Sequence, residues 1–224
     1  MGGGKFRDVT IELGLNEAMS PSSNAAWSDF DRDGDLDLFV GNEMAPCQLF
    51  RNDGEDGFTD IAESAGVTNR AAAKGSTWGD FDHDGWPDLY VSNLNAPNRF
   101  YRNMVNGRFK DIAAELNMAQ PEKSFPTWFW DVNNDGHLDL FVASYNVGLT
   151  HVAGDFLGRK YPEDRDRLYL NNGDGQFTES SEAFGLNHVT QPMGCNFGDL
   201  DNDGFLDFYL GTGYPDLDLS LIHI

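Results

Sequence analysis

Cysteine is nearly absent. Cys47 and Cys195 are the only two in 224 residues, too few for a disulfide framework, and each reads as an ordinary buried thiol. Basic residues are also scarce: 15 Lys and Arg stand against 37 Asp and Glu, a formal net charge of -22. Such a chain repels phosphate, which argues against nucleic acid as a partner. No apolar run approaches the roughly 18 residues of a membrane span. The opening MGGGKFRDVT has neither the apolar core of a secretory signal nor the Ser or Thr of a myristoylation site. Nucleophile–base constellations and phosphate-binding glycine loops are missing too. What is present is 40% apolar and 13% aromatic residues, enough for a folded core.

Periodicity organises the rest. The stretch SDFDRDGDLDLFV (28–40) returns as GDFDHDGWPDLYV (79–91), WDVNNDGHLDLFV (130–142) and GDLDNDGFLDFYL (198–210), with first aspartates spaced by 51, 51 and 68 residues. A second motif alternates with it: QLFRNDGEDGFTDIAESAGV (48–67), RFYRNMVNGRFKDIAAELNM (99–118) and RLYLNNGDGQFTESSEAFGL (167–186). KFRDVTIELGL (5–15) matches only the latter half of that motif. Short apolar runs bounded by Gly, Asp and Asn are strand and hairpin signals, and about 50 residues with four strands is the size of a propeller blade. The sequence therefore predicts an all-β fold, a β-propeller of four-stranded blades forming a partial ring of about four. The expected units are 5–15 (the end of a preceding blade), 22–62, 74–113, 124–180 with an insertion at 147–166, and an incomplete blade at 190–212. The fourth blade is read as stopping after its second strand. The tail 217–224 leaves register and reads as a non-native extension, and the whole as a fragment of a larger propeller.

The acidic loops look like cation cages. Counting from Asp29, side-chain oxygens fall at positions 1, 3, 5 and 9, with glycine at 6. The four sets are Asp29, Asp31, Asp33, Asp37; Asp80, Asp82, Asp84, Asp88; Asp131, Asn133, Asp135, Asp139; and Asp199, Asp201, Asp203, Asp207. Three carboxylates two residues apart repel one another without a cation, and hard oxygens with no clustered His or Cys favour Ca²⁺, one per loop and about four in all. Position 7 holds Asp35, Trp86, His137 and Phe205, a variety that suits a ligand supplied by the backbone carbonyl. An EF-hand loop starts alike but needs glutamate at position 12. Here that position is Val40, Val91, Val142 and Leu210, so the closing carboxylate must be position 9. The competing reading, Asp–Gly turns that only cap their own backbone, does not explain four matching copies. Without the fifteen loop aspartates the formal charge would be only -7.

The pair W-x-D-F-D-x-D-G-x-x-D-L-x-V and L-F-R-N-x-G-x-x-x-F-x-D-I-A-x-x-A-G-V resembles the FG-GAP/VCBS repeat family, the calcium-bearing blades of integrin α-subunit heads. The match lies closest to the cartilage acidic protein/ASPIC-UnbV branch. That resemblance implies a β-propeller, usually seven-bladed, with calcium in the loop between the first two strands of a blade. The C-terminal domain typical of the branch is not matched in these residues.

Consecutive antiparallel strands put the acidic loops on one face and the strand 2–3 connections on the other. The 147–166 insertion sits on that second face with Arg159, Lys160, Arg165 and the adjacent Arg167. Its charge is mixed by Glu163, Asp164 and Asp166, so it reads first as a solvated loop and second as a binding loop for an acidic or glycan-like partner. Trp27, Trp78, Phe129 and Phe197 stand two residues before each loop and read as inter-blade packing. Trp128 and Trp130 break that pattern, which leaves one of them to be exposed. His83 and His137 sit at loop positions 4 and 7, where neither side chain is expected to ligate. The function expected is a non-catalytic, calcium-stabilised binding or adhesion module, extracellular, periplasmic or on the cell surface, with a protein or glycan ligand opposite the calcium loops. The alternative is the propeller scaffold of a secreted enzyme whose active site lies in other blades or domains.

Overall fold

A computed structural model describes residues 4, 6–16, 20–145, 148–162, 165–186, 188–190, 192–211 and 221–222. The first sheet contains β1 (Ser22–Ser28), β2 (Asp37–Asn42), β3 (Gln48–Asn52) and β4 (Phe58–Asp60). The second contains β5 (Ala72–Gly79), β6 (Asp88–Leu94), β7 (Arg99–Asn103) and β8 (Phe109–Asp111). The third contains β9 (Ser124–Trp130), β10 (Asp139–Ser144), β11 (Arg167–Asn171) and β12 (Phe177–Glu179). β13 (Gly194–Gly198), β14 (Asp207–Gly211) and β15 (Leu221–Ile222) form a three-stranded sheet. Within every sheet neighbouring strands are consecutive and antiparallel. The architecture is thus all-β, a partial, propeller-like row of blades whose sheets do not close into a ring.

Alternation along the strands explains the row. In β6, Leu89 and Val91 face a core shared with the first blade, while Tyr90 faces one shared with the third. In β10, Leu140 and Val142 turn back toward the second blade and Phe141 and Ala143 forward to the fourth. A strand buried on both faces needs a continuous apolar run, which is why each acidic loop opens into LDLFV-type sequence. The first strands pack on one another across blades, β1 on β5 and β5 on β9.

The same alternation corrects the reading of the third blade's aromatics. Trp128 and Trp130 are both buried, at 6% and 3% exposure. They face Phe141 and Phe208 in the third core, while Phe129 between them faces Phe100 in the second. Residues i and i+2 share a sheet face, so the two indoles form a pair and neither is left outside. Trp78, in contrast, stacks on Phe30 of the preceding blade at 6.2 Å, as inter-blade packing requires.

Between β10 and β11 the insertion carries a two-turn helix, α2 (Leu149–Phe156), where only loop was expected. Its apolar residues at 149, 152, 153 and 156 recur at helical spacing. A shorter helix, α1 (Ala62–Ala65), follows β4 and ends at Gly66, whose φ of 81° closes the turn. The segment 5–15, read as the end of a preceding blade, has no strand among its described residues, 6–15. Instead it repeats this cap: Leu13 N–H donates to Val9 O and Leu15 N–H to Thr10 O, both at 2.9 Å. In the fourth sheet β15 supplies a third strand, one more than the sequence reading allowed. The rest of 217–224, and Glu163 and Asp164 of the insertion, lie outside the described residues.

Candidate metal centres

Each acidic loop joins the first two strands of its blade and is folded by its own side chains. The position-6 glycines have φ of 99°, 87°, 88° and 92°, values that side-chain-bearing residues rarely adopt. Their N–H groups donate to the position-1 carboxylates: Gly34 to Asp29 (3.2 Å), Gly85 to Asp80 (2.9 Å), Gly136 to Asp131 (2.8 Å) and Gly204 to Asp199 (3.2 Å). Position-5 carboxylates accept from position-7 N–H groups: Asp33 from Asp35, Asp84 from Trp86, Asp135 from His137 and Asp203 from Phe205, at 2.8–2.9 Å.

Position 9 is the anchor. Asp37, Asp88, Asp139 and Asp207 are at most 2% exposed, and each accepts from the N–H of position 2: Phe30, Phe81, Val132 and Leu200. In three blades the second oxygen accepts at 2.8 Å from the N–H of the asparagine that ends the third strand, Asn52, Asn103 or Asn171. Burial pushes the carboxyls up to about 6 for Asp37, about 8 for Asp88 and about 6 for Asp139, against the pull of those N–H groups.

The loops bring carboxylate oxygens together in three places. Asp29, Asp31 and Asp33 offer oxygens that all lie within 4.8 Å of one another, as do Asp80, Asp82 and Asp88, and Asp199, Asp201 and Asp203. In the first two, Oδ1 of Asp29, Oδ1 of Asp31 and both oxygens of Asp82 are shut off from solvent with no hydrogen-bond donor. Burial, and repulsion from neighbours such as Asp33, raise the Asp31 carboxyl. Burial also raises that of Asp82, against the pull of Arg102. Orphaned buried anions converging on one point fit a hard cation. Arg102 stands beside the second cluster, its Nη2 2.5 Å from Asp82 Oδ2, an ion pair lacking hydrogen-bond alignment. The third loop is different. Asn133 donates its amide to Asp135 at 2.9 Å and accepts from the Asp135 N–H at 3.1 Å, so this loop is partly self-satisfied, and no three-carboxylate cluster forms there among the described residues.

The strand-ending asparagines escaped the sequence reading, although they recur in every full copy of the second motif. Asn103 Nδ2 donates to Pro87 O of its own loop (3.2 Å) and to Phe30 O of the preceding loop (2.9 Å). Asn171 does the same with Leu138 O (3.2 Å) and Phe81 O (2.7 Å). One asparagine thus fixes the closing carboxylate through its backbone and the preceding loop through its side chain.

Tandem four-stranded antiparallel blades, each entered through a D-x-D/N-x-D-G-x-x-D turn, define a repeat protein of the propeller type. The chain belongs to the FG-GAP-like repeat family, which matches residues 29–91, 80–142 and 131–210, as the sequence resemblance implied. Cartilage acidic protein 1 of Xenopus tropicalis is 32% identical to it over 221 residues, covering 92% of this chain and 31% of the relative. The human protein of that name is 32% identical over 220 residues (93% and 30%) and the mouse one 29% over 219 (93% and 31%). The chain therefore spans under a third of the length of these curated relatives.

Proposed function

We propose that the chain is a calcium-stabilised, non-catalytic binding module that works outside the cell, with Ca²⁺ in the acidic loops. The observation that carries this reading is the pair of buried, donor-less oxygens on Asp29 and Asp31 within a three-carboxylate cluster. The expected ligands are the carboxylates at positions 1, 3, 5 and 9 and the carbonyls of Asp35, Trp86, His137 and Phe205. Asn133 replaces one charged oxygen with a neutral one, so the third loop binds most weakly. Millimolar-range sites of this kind suit extracellular fluid, and membership of the FG-GAP-like repeat family supports a repeat module over an enzyme. No helix among the described residues is long and apolar enough to cross a membrane. Melting followed by circular dichroism in excess Ca²⁺ and in EDTA tests the proposal. A markedly lower Tm is expected in EDTA, and equal melting curves overturn the calcium reading.

The partner is assigned to the face opposite the loops. There α2 leads into exposed Phe156 and Leu157 (73% and 81%) and exposed Arg159 and Lys160. Basic groups beside apolar ones on an otherwise acidic protein suit an acidic protein or glycan ligand. Deleting 151–165 is expected to abolish partner binding while calcium-dependent melting persists. Retained binding sinks this assignment.

A further inference from the structure

Loop positions 4 and 7 supply no side chain to the cages, yet they connect one loop to the next. Position 4 lies in the left-handed region in all four loops: Arg32 at 60°, His83 at 57°, Asn134 at 56° and Asn202 at 61°. That backbone throws the position-4 side chain across to the following blade. Arg32 lies over Trp86 at 5.6 Å, and Asn134 donates to Gly204 O at 3.0 Å. Between the second and third loops the same contact joins two metal-ligating atoms, His83 Nε2 and His137 Nδ1, 3.0 Å apart.

We propose that His83 and His137 form a cis bis-imidazole site for a borderline divalent transition metal of the Cu²⁺ or Ni²⁺ class, separate from the calcium cages. Imidazole nitrogens bind such ions at about 2.0–2.1 Å. Two nitrogens 3.0 Å apart then subtend about a right angle at a shared ion, the angle that square-planar and octahedral centres require. The rings lie at 63° to one another with centroids 5.1 Å apart, and His83 is exposed, so a small pivot directs both lone pairs to one point. His137 is held in place. Its backbone N–H donates to Asp135, and a Cβ at Gly173 (φ 76°) would come within 2.6 Å of its ring Nε2, so glycine there makes room for the ring. The pair borders a cavity of about 520 Å³ that Asp174, outside the acidic loops, also lines, leaving carboxylate and water oxygens for the remaining positions. The cations in that wall, Arg102 and Lys110, are paired with Asp82 and Glu115. Imidazole selects such metals over Ca²⁺, which takes oxygen ligands, so the two metal classes sort between neighbouring sites.

The test uses the full chain in excess Ca²⁺, titrated calorimetrically with Ni²⁺ at fixed pH, with Cu²⁺ as the probe for electron paramagnetic resonance. One Ni²⁺ site is expected. His83→Gln and His137→Gln each weaken it by at least about tenfold, the scale on which even outer-shell partners act, and His188→Gln leaves it unchanged. Nitrogen hyperfine structure from two imidazoles is expected in the Cu²⁺ spectrum. Wild-type-like Ni²⁺ affinity in both variants, a spectrum with oxygen ligands alone, or displacement of Ni²⁺ by added Ca²⁺ overturns the proposal. Melting of the same samples in Ca²⁺ and in EDTA reads the calcium sites separately, so the two readings fail independently.

Discussion

Asp37, Asp88 and Asp139 hold equivalent places, each buried and each accepting two backbone N–H donors. Burial costs the charged form more than those donors return, so their carboxyls move from 3.8 up to about 6, about 8 and about 6. An acid whose pKa is raised by folding contributes stability that is complete below the unfolded value and lost as pH rises through the folded one. In EDTA, the Tm is therefore expected to fall steadily between about pH 5 and pH 8. Calcium requires the deprotonated form, so its stabilising effect grows over the same range and protons are released on binding. Parallel Tm–pH curves with and without Ca²⁺ would count against position 9 as a ligand. Asp166 behaves differently. It is buried away from the loops, accepts from the Ser144 N–H and the Thr190 hydroxyl at 2.7 Å, and is pushed up by burial to about 6. Asp166→Asn should flatten whatever pH slope persists in calcium, and an unaltered slope shows that the charge on Asp166 is not its source.

Among the elements, the third strand is the one that closes a cage. The Asn103 amide satisfies Phe30 O and Pro87 O, and its carbonyl oxygen accepts from the Val105 N–H at 3.0 Å. Asn103→Ala leaves these three groups unpaired in a site only 2% exposed, an expected loss of at least about 3 kcal/mol at one to three per orphaned group. Denaturant melts measure that loss, and calcium titration should show weaker binding in both the first and second loops. A loss below about 0.5 kcal/mol, the ordinary range of a surface change, would mean that the asparagine merely fills space. The acidic loop itself was legible in the sequence because its carboxylates are local: positions 1, 3, 5 and 9 belong to a single turn. Asn103 contributes from 15 residues beyond Asp88, and only the pairing of β6 with β7 brings it there. Helix α2 was missed for another reason. It falls in an insertion without an equivalent in the other blades, so the repeat gave no template for it.

Across the whole molecule, stability resides between blades. The second blade contributes to two cores and so does the third, so loosening one sheet uncovers the next, the nearest-neighbour coupling of repeat proteins. Phe100 is fully buried at the joint between them, against Phe81 at 4.8 Å and Phe129 at 5.8 Å. Phe100→Ala is expected to cost about 3–5 kcal/mol. It should shift far-ultraviolet dichroism and tryptophan fluorescence together, since Trp78 lies in the core on one side of that of Phe100 and Trp128 and Trp130 in the core on the other. Separate transitions for the two probes would mean that the blades melt one by one.

The sequence by itself determined the repeat, the all-β class and the make-up of the acidic loops. Those depend on spacing within a strand or a single turn, and spacing survives without coordinates. Tertiary structure decided what depends on a neighbouring blade. Phe129 turns back while Trp128 and Trp130 turn forward, and Asn103 and Asn171 reach into the preceding loop. His83 meets His137 only because the left-handed turn at position 4 aims each loop at the next. Their separation of 54 residues along the chain carries no local signal, since packing of one blade on another sets the distance between them.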